Sequence, residues 1–124
     1  MESFPHIYQE ERPWGSFERF TLNEISSVKI LRVAPGKRFS LQKHAKRSEF
    51  WKVIQGGGSA RVGDTEHPLV DGDEIQIPVG ALHRLTAGPS GIAVLEICMG
   101  EFDESDIVRT EDDFGRIPET PPAA

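Results

Sequence analysis

Two short segments hold the residues best equipped for chemistry: Gln42-Lys43-His44 with Glu49 five positions on, and Pro78-Val79-Gly80 with His83 three positions further. In an extended chain successive side chains alternate between faces, so Gln42 and His44 point to the same side and can grip one ion. Glu49 opens the next strand-like run, and the turn at Pro78 to Gly80 can aim His83 back at the same point. Two imidazoles, a carboxylate and an amide oxygen around a divalent cation leave a net charge of about +1 and an open face for exchangeable water, which is a Lewis-acid site. The hard amide oxygen of Gln42 favours Zn²⁺ or Mn²⁺ over Fe, Ni or Co. Taken alone, however, the first segment also fits an ordinary solvated strand.

The elements that must position these residues read as β throughout. Runs rich in β-branched and aromatic residues recur at 16–21, 28–33, 39–44, 49–55, 59–62, 74–78, 83–86 and 92–98, separated by turn-forming groups. These separators include Ala34-Pro35-Gly36, Gly56-Gly57-Gly58, Gly63-Asp64, Asp71-Gly72-Asp73 and the stretch from Ala87 to Gly91. This rhythm predicts an all-β barrel or sandwich, with Gly56 to Gly58 as a hairpin turn. One short helix is expected over 105–113, capped by Ser105 with Ile107 packing inward. Alternation predicts that Phe39, Leu41, Phe50 and Ile54 face outward if Gln42, His44, Glu49 and Trp51 face inward. An apolar outer face needs cover, and a homodimer is the expected source. Trp51 is expected to be a core residue with its indole N–H satisfied, and Trp14 to plug one end of the barrel.

The chain has 124 residues, the size of one domain, and a formal net charge of −6, which excludes nucleic acid or an anionic membrane surface as the main partner. A small ligand is the expected partner. Cys98 is the only cysteine, so no intrachain disulfide forms, and there is neither a signal-peptide pattern nor an apolar run long enough to span a bilayer. These features predict a cytoplasmic protein.

Taken together, Gly36-x5-Gln42-x-His44-x4-Glu49-x6-Gly56 and Gly72-x5-Pro78-x-Gly80-x2-His83 resemble the two-part signature of the cupin superfamily, with Gln42 where its first histidine usually stands. Arg12-Pro13-Trp14-Gly15-Ser16-Phe17, the stretch from Gly36 to His44, Ile77-Pro78 with His83-Arg84-Leu85, and the segment from Gly100 to Arg116 narrow the resemblance. They are similar to the C-terminal domain of type II mannose-6-phosphate isomerases, over about positions 11–116. That family's bifunctional members carry this domain behind a mannose-1-phosphate guanylyltransferase, a part and an activity expected to be absent here. Ala45 and Lys46 stand where the family often has histidines, Phe17 and Phe114 where it has tyrosines, and Ala87 where it often has asparagine.

The resemblance implies an all-β cupin domain over 1–116, a double-stranded β-helix or jelly-roll barrel with a short irregular or helical C-terminal segment. A flexible tail is expected over 117–124. It implies one divalent metal ion on Gln42, His44, Glu49 and His83, and an aldose-ketose isomerase that interconverts mannose 6-phosphate and fructose 6-phosphate through a metal-stabilised enediolate. Glu96, which breaks the apolar run 92–98 and matches a glutamate of the family, is the candidate base, against a reading in which it is merely ion-paired. Lys29 interrupts another strand and is expected to snorkel outward. Among the cations Arg38, Lys43, Arg47 and Arg84, Arg38 is the expected phosphate ligand and a catalytic candidate, because alternation puts it on the face of Gln42 and His44. Lys43 and Arg84 are further substrate-binding candidates, although Arg84 alternates away from His83 and can instead tie a surface loop. Arg109 is another such candidate, and the resemblance makes it and Asp106 residues that close the site. The alternatives are a metal-dependent dioxygenase or epimerase on another small polar compound, or a non-catalytic sugar-binding cupin.

Overall fold

The computed structural model describes residues 8–103 and 105–116, so the tail expected beyond 116 lies outside the described residues. It is all-β: β1 (Tyr8–Arg12), β2 (Gly15–Arg19), β3 (Ser26–Val33), β4 (Leu41–Lys43), β5 (Arg47–Val62), β6 (Thr65–Leu69), β7 (Glu74–Ile77), β8 (His83–Gly100) and β9 (Val108–Glu111). Strands β1 and β2 form a separate hairpin; the other seven form one antiparallel system in the order β6-β5-β8-β4-β9, with β3 on β8 and β7 on β5.

The fold is organised by β5 and β8, which pair from Arg47↔Gly100 to Val62↔His83 and shift register between Val53 and Gln55 and again between Gly56 and Gly58. Gly56 to Gly58 is therefore a bend inside a continuous strand rather than a hairpin turn, and the stretch from Ala87 to Gly91 is its counterpart in β8. Glycine is required here by close backbone approach. A Cβ at Gly56, whose φ is 83°, would overlap the Gly91 carbonyl oxygen, and one at Gly58 would overlap that of Thr86. Before and after the bend each long strand takes different outer neighbours: β7 pairs with β5 over 49–52, β6 with β5 over 58–62, and β3 with β8 over 92–99. β6 contains Pro68, tolerated because β6 is a sheet edge that pairs only with β5.

The interior is filled by Trp51, Val53, Ala60, Leu69, Ile77, Leu85, Ala87, Ile92 and Val94. Phe39 joins them, edge-on to Trp51 at 5.9 Å between ring centroids, instead of facing outward. Alternation fails there because residues 37–40 form no strand: Arg38 makes an isolated bridge to Thr86, and the β4–β9 register shifts between Leu41 and Gln42. Leu41 and Phe50 are buried as well, whereas Ile54 is exposed. Phe50 does lie opposite Trp51, but Phe20, at 5.3 Å between rings, covers it together with Ile97, Leu95 and Met99. The chain itself thus covers part of the outer face that seemed to need a partner. Trp14 does not plug the barrel: it sits at the β1–β2 turn and is 73% exposed.

No helix forms over 105–113. Ser105 is held in a turn by Asp103, whose Oδ1 accepts from both its N–H and its hydroxyl. The β-branched residues that follow make β9, which pairs with β4 at Lys43↔Val108, Gln42↔Arg109 and Leu41↔Glu111. Among the described residues, no helix is long and apolar enough to cross a membrane.

Candidate metal centre

Three predicted ligands converge. The ligand atoms of His44, Glu49 and His83 all lie within 4.8 Å of one another, and all three residues are buried. Glu49 projects from the inner face of β5, His83 opens β8 after the Pro78 to Gly80 turn, and His44 directly follows β4. The Gly80 N–H donates to the His44 carbonyl at 2.9 Å, so the turn that aims His83 is tied to the backbone of His44. Gln42 is directly opposite His83 in the sheet and lines a cavity with His44 and Glu49, its Oε1 accepting from Ser40 Oγ at 2.7 Å.

The rings are oriented by carbonyl oxygens. His44 Nδ1 is 2.6 Å from the Asp106 carbonyl and His83 Nδ1 is 2.9 Å from that of Ala81. A carbonyl only accepts, so each neutral ring carries its proton on Nδ1 and turns a bare Nε2 inward. Those two lone pairs face carboxylate oxygens: His83 Nε2 is 3.2 Å from Glu49 Oε1, and His44 Nε2 is 3.4 Å from Oε2. Among the described residues, His83 Nε2 and Glu49 Oε1 are buried without a hydrogen-bond partner. Acceptors converging in a buried space call for a cation, so this donor set fits a divalent metal ion of nitrogen and oxygen preference. Burial holds the His44 imidazole below its usual range, which keeps it neutral and able to ligate. Burial pushes the Glu49 carboxyl up, but in acid, where the imidazoles carry their second proton, the hydrogen bond and charge of His83 and the charges of His44 and Arg47 outweigh this and bring it down to about 2.

Beside the ligands opens a cavity of about 210 Å³ lined by Lys29, Gln42, His44, Arg47, Glu49, Glu96, Arg109 and Arg116 among others. In a chain of net charge −6, four cations and two carboxylates meet at this one opening. Arg47 is buried, donates from Nε to Glu49 Oε2 and from Nη2 to His44 Nε2, each at 3.2 Å, and packs over the Phe102 ring. Arg47 Nη1 and Arg109 Nε are buried N–H donors with no partner among the described residues. Glu96 lies opposite Trp51 on β5 and Lys29 on β3. Its carboxylate accepts from Trp51 Nε1 at 2.9 Å and from the Cys98 thiol at 3.5 Å, and meets Lys29 Nζ at 3.5 Å. Burial, and then the neighbouring Glu49 charge, raise its pKa above the ordinary carboxylate range. Burial also drives the Cys98 thiol up, so it stays protonated and can donate.

Other predicted residues stand elsewhere. Arg38 does not line the cavity; its guanidinium turns outward to Asp113, at 2.8 and 3.0 Å. Lys43 is exposed on the outer side of β4. Arg84 is buried as a tie, donating from Nε to the Phe39 carbonyl and from Nη1 to Glu111, both at 2.9 Å. Lys29, expected to point outward, reaches the cavity instead. Arg47 and Arg116 are cavity residues that alternation from Gln42 could not select, because Arg47 belongs to the next strand and Arg116 follows β9. The spacing of Arg47 from Glu49, two apart on β5, was the available signal.

The family model described as "Mannose-6-phosphate isomerase C-terminal" matches residues 3–112. Relatives include the xanthan biosynthesis protein XanB of Xanthomonas campestris pv. campestris (strain B100), 36% identical over 85% of this chain and 23% of its own. The mannose-1-phosphate guanylyltransferase ManC of Salmonella typhimurium is 34% identical over 90% of this chain and 24% of its own. The chain therefore spans about a quarter of the length of these relatives. Among solved structures, the capsular polysaccharide assembling protein CapF of Staphylococcus aureus superposes with a TM-score of 0.64 at 20% identity, over 85% of this chain and 34% of its own. A cupin-2 domain protein of Rhodospirillum rubrum, Rru_A2000, gives a TM-score of 0.59 at 19% identity over 86% of this chain and 82% of its own. These structural likenesses show the fold, a double-stranded β-helix barrel.

Proposed function

Because the chain belongs to the family of mannose-6-phosphate isomerase C-terminal domains, we propose that its barrel is a metal-dependent aldose-ketose isomerase acting on a sugar phosphate, with mannose 6-phosphate as the first candidate. One observation carries the reading: a buried His44–Glu49–His83 cluster opens on the same cavity as a carboxyl of raised pKa and unpartnered guanidinium donors. A divalent cation held by His44, Glu49 and His83, with Gln42 beside them, would polarise the carbonyl and adjacent hydroxyl of an open-chain sugar.

The chain's own groups divide the remaining work. Glu96 is the proton carrier, because its raised pKa suits a carboxyl that must both take and return a proton between neighbouring carbons near neutral pH. Trp51 and Cys98 orient it by donating to its two oxygens. Lys29, 3.5 Å away, favours the ionised form that starts the reaction. Arg47 Nη1 and Arg109 Nε offer the phosphate charge-assisted hydrogen bonds, and these cavity residues take the role first considered for Arg38. In the test, purified chain supplied with Zn²⁺ or Mn²⁺ converts mannose 6-phosphate to fructose 6-phosphate, and His44→Ala does not. Full metal occupancy without turnover would overturn the isomerase reading and leave a sugar-phosphate binding module.

A further inference from the structure

Asp106 meets the metal-ligand loop with three hydrogen bonds. Its carboxylate accepts from the consecutive backbone N–H groups of Ala45 and Lys46 at 2.8 and 2.9 Å, while its carbonyl oxygen is the acceptor 2.6 Å from His44 Nδ1. Residues 45 and 46 lie between β4 and β5, outside both strands, and this carboxylate holds their two N–H groups while Gly80 N–H holds the His44 carbonyl. The same stretch of chain continues along the cavity, which Ile107, Arg109 and Arg116 line. It is anchored further along by the Arg84–Glu111 and Arg38–Asp113 ion pairs.

We propose that Asp106 is a positioning residue that couples metal binding at His44 to closure of segment 105–116 over the cavity. The inference rests on the metal reading above. Acting through one residue, Asp106 sets the tautomer and aim of a ligand and holds down the segment that delivers Arg109. Coupling of this kind is reciprocal: whatever orders the segment tightens the metal, and the metal orders the segment by the same factor.

The experiment titrates metal-free protein with Zn²⁺ by calorimetry, records the visible spectrum of the Co²⁺-loaded protein, and follows hydrogen exchange of amides 105–116 with and without Zn²⁺. Asp106→Ala leaves the backbone carbonyl on His44 Nδ1 and removes both carboxylate bonds to the loop that carries it; loss of even one bond to a charged acceptor corresponds to about 10-fold weaker metal binding, which is the expectation for this variant. Its Co²⁺ bands should change, and Zn²⁺ should no longer slow exchange in 105–116 as it does in the wild type. Asp106→Asn, which keeps the carbonyl contact and one acceptor oxygen, should fall in between. Glu74→Ala, which removes an ion pair to Lys52 outside the segment and away from His44, should keep wild-type affinity. If the wild type binds no Zn²⁺, the metal reading fails and this inference with it. If the wild type binds and Asp106→Ala matches it in affinity and spectrum, only the coupling is overturned. Should Asp106→Ala not fold, unchanged affinity and exchange in Asp106→Asn overturns the coupling equally.

Discussion

Glu49→Gln removes the one negative charge that faces both histidines and Arg47, and its cost can be worked from the structure. Arg47 Nε is 3.2 Å from Glu49 Oε2, with both side chains buried. At that distance and an effective dielectric of about 20, Coulomb attraction is roughly 5 kcal/mol. Removing one partner of a buried pair costs about 3–5 kcal/mol in practice. Glutamine offsets part of this, since its amide oxygen still accepts from Arg47 and its NH₂ can donate to the unpartnered His83 Nε2. Each such bond contributes about 1 kcal/mol. The expected net loss is about 1–3 kcal/mol of unfolding free energy at pH 7, or roughly 5–10 °C in Tm for a domain of this size. Urea denaturation of metal-free protein measures the first quantity. The second prediction concerns metal: the wild type gains Tm on addition of Zn²⁺ and returns on chelation, whereas Glu49→Gln shows no such response. A variant as stable as the wild type that still gains Tm with Zn²⁺ would refute both the pairing and the ligand assignment.

Three further outcomes follow from the same geometry. Arg109→Ala should raise KM for mannose 6-phosphate by about 10–100-fold, the equivalent of one charge-assisted hydrogen bond, with Zn²⁺ affinity unchanged, whereas Arg38→Ala should stay near wild type. Trp51→Phe removes the indole donor to Glu96 and should cost about 1–3 kcal/mol of stability. It should also move the acid limb of the pH-rate profile upward, because that bond holds the Glu96 pKa down against burial. Acidification should weaken the metal-free Glu96→Gln protein, in which the opposing contribution of the raised Glu96 pKa is removed, in two stages read by urea midpoints. His44 has a depressed folded pKa, so the unfolded chain binds more protons as pH falls below about 6.5 and stability declines from there; the Glu49 contribution, present above about 4.3, is lost towards about 2. Stability that rose steadily from pH 7 to pH 4 would contradict these signs.

The cluster of candidate ligands is legible in the sequence because its members sit beside local rules. Gln42 and His44 share strand parity, and Pro78 and Gly80 mark the turn that presents His83. The all-β class was legible from the spacing of turn residues, yet the two strands that build the barrel were each read as two. Gly56 to Gly58 and the stretch from Ala87 to Gly91 have turn chemistry, but there the glycines serve close contact between backbones at a bend, a requirement visible only when β5 and β8 lie side by side. The choice of Arg38 over Arg47 failed for a related reason. Parity was carried through 38–42 as if that stretch were one strand, and the shift between Leu41 and Gln42 breaks it. The C-terminal segment misled because Ser105 and its acidic neighbours mimic a helix start, while the deciding energy is the pairing of β9 with β4, which is nonlocal.

The polar residues inside the barrel make a case for function that their individual roles do not. Lys29, Glu96, Trp51, Glu49 and Cys98 come from three neighbouring strands at consecutive pairings, Lys29↔Glu96, Trp51↔Glu96 and Glu49↔Cys98. Two carboxylates close enough for each to disturb the other are thus buried where a barrel of this size could hold aliphatic side chains. Replacing buried ionic groups with apolar ones of similar volume often leaves stability unchanged or improves it by about 1–4 kcal/mol. Stability therefore gives no reason to keep this cluster. What distinguishes it is unfinished pairing: His83 Nε2 and Glu49 Oε1 lack a cation, and Arg47 Nη1 and Arg109 Nε lack an anion. A metal ion beside an anionic substrate completes both sets at once. Replacing Glu96 with Gln should separate the two contributions, because it removes the proton carrier while leaving the ligands and guanidinium donors in place. Zn²⁺ affinity and phosphate binding should survive in Glu96→Gln while isomerisation is lost; turnover at the wild-type rate would show that the proton moves through another group.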